Sequence, residues 1–455
     1  MSALSRFVRW LGEPEWLFLF FASIAGLALI ALIPPVAGGN EQMNFQRAAS
    51  IAAGRMSIGP TLLPGGIART LSITDRRFPE GVVAPYGYSR SDFDELAVLQ
   101  LDKAHPAVIQ PNAIAVLHPI SYLPQVPVIS LGMALGLPPL VIFYLGRLIG
   151  LAAGVVLTFY AIRLMPVHKH LLAAIALLPP MIFSRSTLDA DQFNNGLAFL
   201  LLALIVREIL AEGPLRRRTF LSLSLAAFVL AQAKTAYLLL PMLVIAIPAK
   251  RLQWPRLAAW AIVVLPGIVA SIAWILLLRS TFSAAAYRTW SGVVIPEQQL
   301  QLVLADPLHF GTVILRTVFT TPFIPAALLD FLGRFGPPVA LPLPFFPVLA
   351  LMLAGVAMCE GPQPYIPTAV KILALLIAFA TIAIILTLLY MQWTRVGAPT
   401  VDGFAGRYLY PLVPLILLAL PSGKIPGGKP GYVVALLAIV SALGTVHTTW
   451  QTYWG

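Results

Sequence analysis

This sequence predicts an all-α polytopic membrane protein, and three observations carry the prediction. Hydrophobic residues fill 59% of the 455 positions, charged residues only 11%, and apolar runs of spanning length recur along the chain. So little polar surface cannot cover a water-soluble globule, so lipid serves as solvent and the runs close their backbone bonds as helices. Mean hydropathy is +0.86. The formal charge of +12 is tested against the positive-inside rule before any nucleic-acid partner, and none is required. Cys359 is the single cysteine, which excludes an internal disulfide and a Cys-based metal site.

Taken in order, Arg6 and Arg9 precede an apolar run from Trp16 to Ala37, long enough to span and lacking a clear cleavage site, so it reads as an uncleaved first helix. Further runs lie at 139–163, 170–184, 194–211, 219–232, 235–249, 257–278, 341–358, 370–391, 405–421 and 431–450. The expectation is a single transmembrane domain, residues 1–455, of about 11 spans (range about 10–13). With the N-terminus cytoplasmic, the short inside loops hold Arg163, Lys169, Arg207, Arg216, Arg217, Arg218, Lys250, Arg251, Arg256, Lys371, Lys424 and Lys429, as the charge rule asks.

The same topology puts two long segments outside, 38–138 and 279–340. Leu117–Leu137 is apolar enough to count as a span, but counting it would invert every later loop. It reads as a helix on, or dipping into, the outer interface. Leu308–Phe331, interrupted by Pro322 and Pro325, reads as a second, broken interfacial pair.

Three places combine charge with a span end. Glu41 follows Gly38-Gly39-Asn40 and opens a segment with helical spacing to Ala53; it reads either as a helix-capping carboxylate or as a general base. Asp189-Ala190-Asp191 precedes the fourth span, and a helix starting there carries Asp191 and Asn195 on one face; the acids either cap that helix or act. Arg407, with Tyr408 beside it, enters the tenth span. It either snorkels or grips a lipid phosphate, with Arg147 and Lys234 as similar candidates. Asp92, Asp94, Glu95 and Asp102 lack a calcium-loop spacing, and no Gly-rich phosphate loop or His-x-x-x-His pair occurs.

Four separated blocks resemble the bacterial membrane family labelled "domain of unknown function 2142", whose expected fold is similar to the GT-C class of lipid-linked sugar transferases. They are Pro34–Gly54, His118–Gln125, Tyr144–Asn195 and Trp393–Pro414. The family's first loop, Asp-Glu-Pro-x-His-Phe-x-Arg-Ala, becomes Asn40-Glu41-Gln42-Met43-Asn44-Phe45-Gln46-Arg47-Ala48, so Glu41 is the only carboxylate carried over. Its Ser-x-Asp-Ala-x-x-Asn element falls on Asp191 and Asn195, with Asp189 as an addition. Its Gln-Gly-Arg-Tyr-x-x-Pro element becomes Ala405-Gly406-Arg407-Tyr408-Leu409-Tyr410-Pro411.

The resemblance implies an inverting glycosyltransferase of a bacterial plasma membrane. It would move a sugar from a polyprenyl-phosphate donor to an envelope glycan or lipid acceptor at the outer leaflet. Glu41 then takes the catalytic acid's place as general base, with Asp191 next. Arg407, Lys234 and Arg147 meet the donor phosphate, while Asn44, Arg47, His118, Tyr122, Asn195 and Tyr408 line the substrate. No cofactor is named, and a divalent cation is left open. Two other classes compete: a lipid or polysaccharide flippase, which would line a path through the bundle with charge, and a structural envelope-assembly subunit, which would need no acid at Glu41.

Overall fold

Six helices in the computed structural model are long and apolar enough to cross a membrane: Pro14–Leu32, Pro139–Leu164, Asp191–Leu210, Arg256–Leu278, Thr368–Gln392 and Pro430–Tyr453. The structure describes residues 12–77, 90–252, 254–282, 287–289, 292–320, 322–335, 339–421, 423–425 and 427–455. Arg6 and Arg9 lie outside the described residues. In chain order the helices used below are α1 (Pro14–Leu32), α2 (Glu41–Ala52), α3 (Gly65–Arg77), α4 (Arg90–Val98), α5 (Gln125–Leu135), α6 (Pro139–Leu164), α7 (Lys169–Ala176), α8 (Pro179–Arg185), α9 (Asp191–Leu210), α10 (Arg217–Ala233) and α11 (Arg256–Phe282). They continue as α12 (Pro296–Ala305), α13 (Pro307–Thr320), α14 (Phe323–Leu332), α15 (Phe345–Cys359), α16 (Thr368–Gln392), α17 (Val413–Ala419) and α18 (Pro430–Tyr453). Two short antiparallel hairpins, Thr61–Leu63 with Ala107–Ile109 and Tyr287–Thr289 with Gly292–Val294, are the sheet among the described residues.

Every expected apolar run is helical, but five form helices shorter than the six above, four of them because proline breaks the run. The 170–184 run stops at Leu177 and restarts at Pro179-Pro180 as α8. The 235–249 run carries Pro241 and forms tight 3₁₀ turns over Thr235–Tyr237 and Leu240–Ala246. The 405–421 run is 3₁₀ from Gly406 to Leu412 before Pro414 opens α17. The 341–358 run begins only after Pro344, as α15, and the 219–232 run gives α10, 17 residues long. Leu117–Leu137 also divides, into a 3₁₀ turn over Pro119–Tyr122 and the 11-residue α5. At 1.5 Å per residue that helix reaches roughly 16 Å, about half a bilayer core. Helices α12 and α13 meet at 108°.

The core is set by α6, α9 and α1. Gly150, Gly154 and Gly196 bring α6 and α9 together: a Cβ at Gly196 would lie 2.9 Å from the Leu157 Cβ, and one at Gly150 would lie 2.4 Å from the Gln192 amide. Small residues spaced by four let two helices approach this closely in lipid, where dispersion replaces the hydrophobic drive. The approach fixes the start of α9 relative to Arg147 and α1. Charge divides between two ends of the bundle. Asp191 and Lys234 meet at one end; Arg207, Glu208 and Arg251 meet at the other, one length of α9 away.

Candidate functional site

Glu41 is the first residue of α2 and is fully buried. Its Oε1 accepts from Arg147 Nε at 2.7 Å and from the Leu188 amide at 2.6 Å; its Oε2 accepts from Arg147 Nη2 at 2.6 Å and from the Gly38 amide at 3.2 Å. A carboxylate offers about four lone-pair sites, and all four are used. In this arrangement every lone pair of Glu41, the expected general base, already has a donor, and the side chain is shut off from solvent.

Arg147 is equally committed. Besides its two bonds to Glu41, Nη1 donates to the Ile30 and Ile33 carbonyls at 3.1 and 2.7 Å, and Nη2 to the Pro34 carbonyl at 2.9 Å. All five guanidinium N–H groups are spent. The Ile30 carbonyl faces Pro34, which has no N–H to complete the α1 ladder, so Arg147 satisfies a group the helix leaves open. Arg147, expected to meet the donor phosphate, is in this structure the buried partner of Glu41.

The second charge cluster is open. Asp191 begins α9, where the helix N-terminus favours a carboxylate. Lys234, held in an extended turn after α10, donates its Nζ to Asp191 Oδ1, and Arg407 Nε lies 3.8 Å from Asp191 Oδ2. The Arg407 side chain is 38% exposed, the most accessible charge of the group. Tyr408 lies between the cations, its ring 5.1 Å from Lys234 Nζ and 5.2 Å from the Arg407 guanidinium carbon. Tyr237 donates its hydroxyl to the Tyr408 carbonyl at 3.3 Å.

Asp189 stands in the turn before α9. Its Oδ1 accepts the Asp191 amide at 3.1 Å, so one oxygen caps the helix as the sequence allowed, and Oδ2 has no hydrogen bond among the described residues. Burial, and next the Asp191 charge, push its carboxyl up to about 6. Asp191, by contrast, is held by two cations.

The remaining expected residues divide. Tyr122 donates to Asn44 Oδ1 at 2.7 Å, and Asn44 Nδ2 donates to the Asn40 carbonyl at 2.9 Å, so the two form a buried polar wall. Burial, and next the Asp189 charge, push the Tyr122 hydroxyl well above its ordinary range. Arg47 donates to the carbonyls of Arg55, Met56, Ser57 and Leu117 and so clamps the first loop, while its buried Nε has no hydrogen-bond partner. His118 accepts the Ile120 amide at Nδ1 and packs edge-on against Trp274 at 4.5 Å. Burial, reinforced by the Arg47 charge, lowers its pKa, which keeps the imidazole a neutral acceptor. Asn195 is buried against the Met181 sulfur at 3.7 Å, away from the cluster's polar contacts.

Two residues, Tyr237 and Gln125, escaped notice as site residues in the sequence, and a third, Asp189, stood there only as an acid that caps or acts. Asp189 stood as an addition beside the family pattern, Tyr237 follows Lys234 by three residues inside an apolar run, and Gln125 is a fully buried amide whose Oε1 and Nε2 have no protein partner. Only Asp189, two residues before Asp191, carried a signal in the sequence. Among the described residues no three His, Cys, Asp or Glu side chains converge as metal ligands.

No curated protein and no solved structure matches the chain. A sequence model of the family described as "Predicted membrane protein (DUF2142)" matches residues 21–416, which takes in both charge clusters and the long helices except α18 and the first residues of α1. By that match the chain belongs to this membrane-protein family.

Proposed function

We propose that the chain is a GT-C-like inverting glycosyltransferase that takes a sugar from a polyprenyl-phosphate donor, with Asp189 as general base. One observation carries the reading: Asp189, with one oxygen left unbonded, stands two residues before Asp191, which two cations hold, one of them open to solvent, at the end of the bundle opposite the basic loops. Arg407 and Lys234 receive the donor phosphate. Asp191 holds both cations in place before the phosphate arrives.

In the reaction, the acceptor hydroxyl oxygen attacks the anomeric carbon from the face opposite the phosphate. As the new C–O bond forms, its proton passes to Asp189 Oδ2. The old C–O bond breaks with its electron pair going to the lipid phosphate, whose new charge meets Arg407 and Lys234. The open rim at Arg407 suits a headgroup whose tail stays in the bilayer. With the basic loops cytoplasmic, the site faces the outer leaflet.

The test is transfer or hydrolysis by the full chain in nanodiscs, offered a panel of polyprenyl-phosphate sugars. Asp189→Asn is expected to lose on the order of 10²–10⁴-fold in rate. In the wild type the rate should fall as pH drops through about 6, because the base is active only when deprotonated and protonation removes it. Wild-type turnover by Asp189→Asn would return the acid to a helix cap.

A further inference from the structure

The Thr187–Asp191 turn meets the fold at three unusual places. A Cβ at Gly38 would lie 2.3 Å from Thr187 Cγ2, and a Cβ at Gly146 would lie 2.8 Å from Leu188 Cδ1. Between those two contacts the Leu188 amide donates to Glu41 Oε1 at 2.6 Å. Two glycines therefore let the turn sit against α6 and the start of the first loop, and a carboxylate pins it there. Asp189 is the next residue, its own amide bonded to the Thr187 carbonyl at 3.0 Å.

We propose that the Glu41–Arg147 pair is a positioning device for the acids: it docks the Thr187–Asp191 turn against the end of α1 and so sets where Asp189 and Asp191 stand. This rests on the reading of those acids as the reacting groups. The pair joins four segments that are remote in sequence, namely the end of α1 through Ile30, Ile33 and Pro34, the start of α2, the first half of α6, and the turn. A buried ion pair is weak evidence of stabilisation, because well-packed apolar residues of similar volume often replace one at no loss. Its distinctive contribution is geometric. Removing one partner alone leaves a buried charge, whereas removing both leaves no charge but strands the Leu188 and Gly38 amides and the Ile30 and Ile33 carbonyls.

The experiment therefore uses the double variant Glu41→Met with Arg147→Met in the full chain, in nanodiscs, beside Glu41→Gln. Hydrogen exchange over 186–192 is read by mass spectrometry, together with the pH profile of sugar transfer. We expect exchange in that segment to rise about tenfold or more while α6 and the body of α9 keep wild-type protection. Transfer should fall about tenfold or more, and its acid limb should move below the wild-type value as Asp189 loses its fixed burial. Unchanged exchange in the double variant overturns the proposal whether or not the protein transfers sugar. So does Glu41→Gln that keeps wild-type exchange yet transfers nothing at any pH, since Glu41 would then be the base itself. If the double variant does not fold, Gly38→Ala supplies the second route: it leaves both charges and presses a methyl into Thr187. The same rise in exchange supports the docking and wild-type exchange removes it. A wild type inert towards every donor would sink the transferase reading alone, because the exchange result stands without activity.

Discussion

At the scale of single residues, donor and acceptor counting separates the charges that hold the fold from those free to react. Arg147 spends five N–H groups and Glu41 four lone-pair sites inside the protein, while Arg407 is 38% exposed and meets Asp191 only at 3.8 Å. A planar fork at an open rim suits a phosphate better than a point charge does. Arg407→Lys should therefore weaken donor binding about tenfold and Arg407→Ala more, as measured with a polyprenyl phosphate in nanodiscs. Wild-type affinity in Arg407→Lys would mark a snorkelling arginine and leave Lys234 as the phosphate ligand. The sequence made these residues legible as charges near span ends. It could not distribute them, because Glu41 and Arg147 are 106 positions apart and nothing local announces that one neutralises the other. The same blindness hides that Arg47, expected to line the substrate, turns its two Nη groups to the carbonyls of residues 55–57 and 117 while its Nε has no hydrogen-bond partner.

At the scale of elements, the helix that brings Arg407 to the acids is held by a missing side chain. A Cβ at Gly406 would lie 2.2 Å from the Ala327 carbonyl and 2.5 Å from the Phe331 amide, both backbone atoms of α14, and the Gly406 amide donates to Asp330 Oδ2 at 3.3 Å. Backbone cannot swing aside as a side-chain tip can. Gly406→Ala should thus push the 3₁₀ segment off α14, costing about 1–3 kcal/mol of stability and lowering donor affinity together. Thermal unfolding and donor titration of the one variant check both, and a stable protein with weakened binding would show that only the rim moved. Elements were the most legible scale. Glu41 to Ala53 was expected as a helix and is one to Ala52, Pro322 breaks the second long loop as expected, and α9 starts at Asp191. Misjudged were the runs containing paired or interior prolines, because hydropathy counts apolar residues without registering that Pro179-Pro180 or Pro411 interrupts the backbone ladder.

At the scale of the whole molecule, the charge division bears on orientation. Lys234 and Asp191 close one end of α9, and Arg207, Glu208 and Arg251 close the other, with the exposed Arg216–Arg218 run and Glu212 beside them. A 20-residue helix is about 30 Å long, the thickness of a hydrocarbon core, so these ends lie on opposite faces if α9 spans. Tyr453 at the end of α18 donates to the Ala37 carbonyl at 2.9 Å, which ties that terminus to the end bearing Glu41. Lysine and arginine excess in short loops sets cytoplasmic orientation, so the end with Arg216–Arg218 should be inside and the acids outside. Cys359 is replaced first, and then one cysteine is introduced at Glu212 or at Ser91, both exposed positions. In intact cells an impermeant maleimide should modify the cysteine at 91 and spare the one at 212, with both labelled once the membrane is opened. The reverse pattern would turn the bundle over, put Arg407 on the cytoplasmic face, and require a donor presented from the inner leaflet.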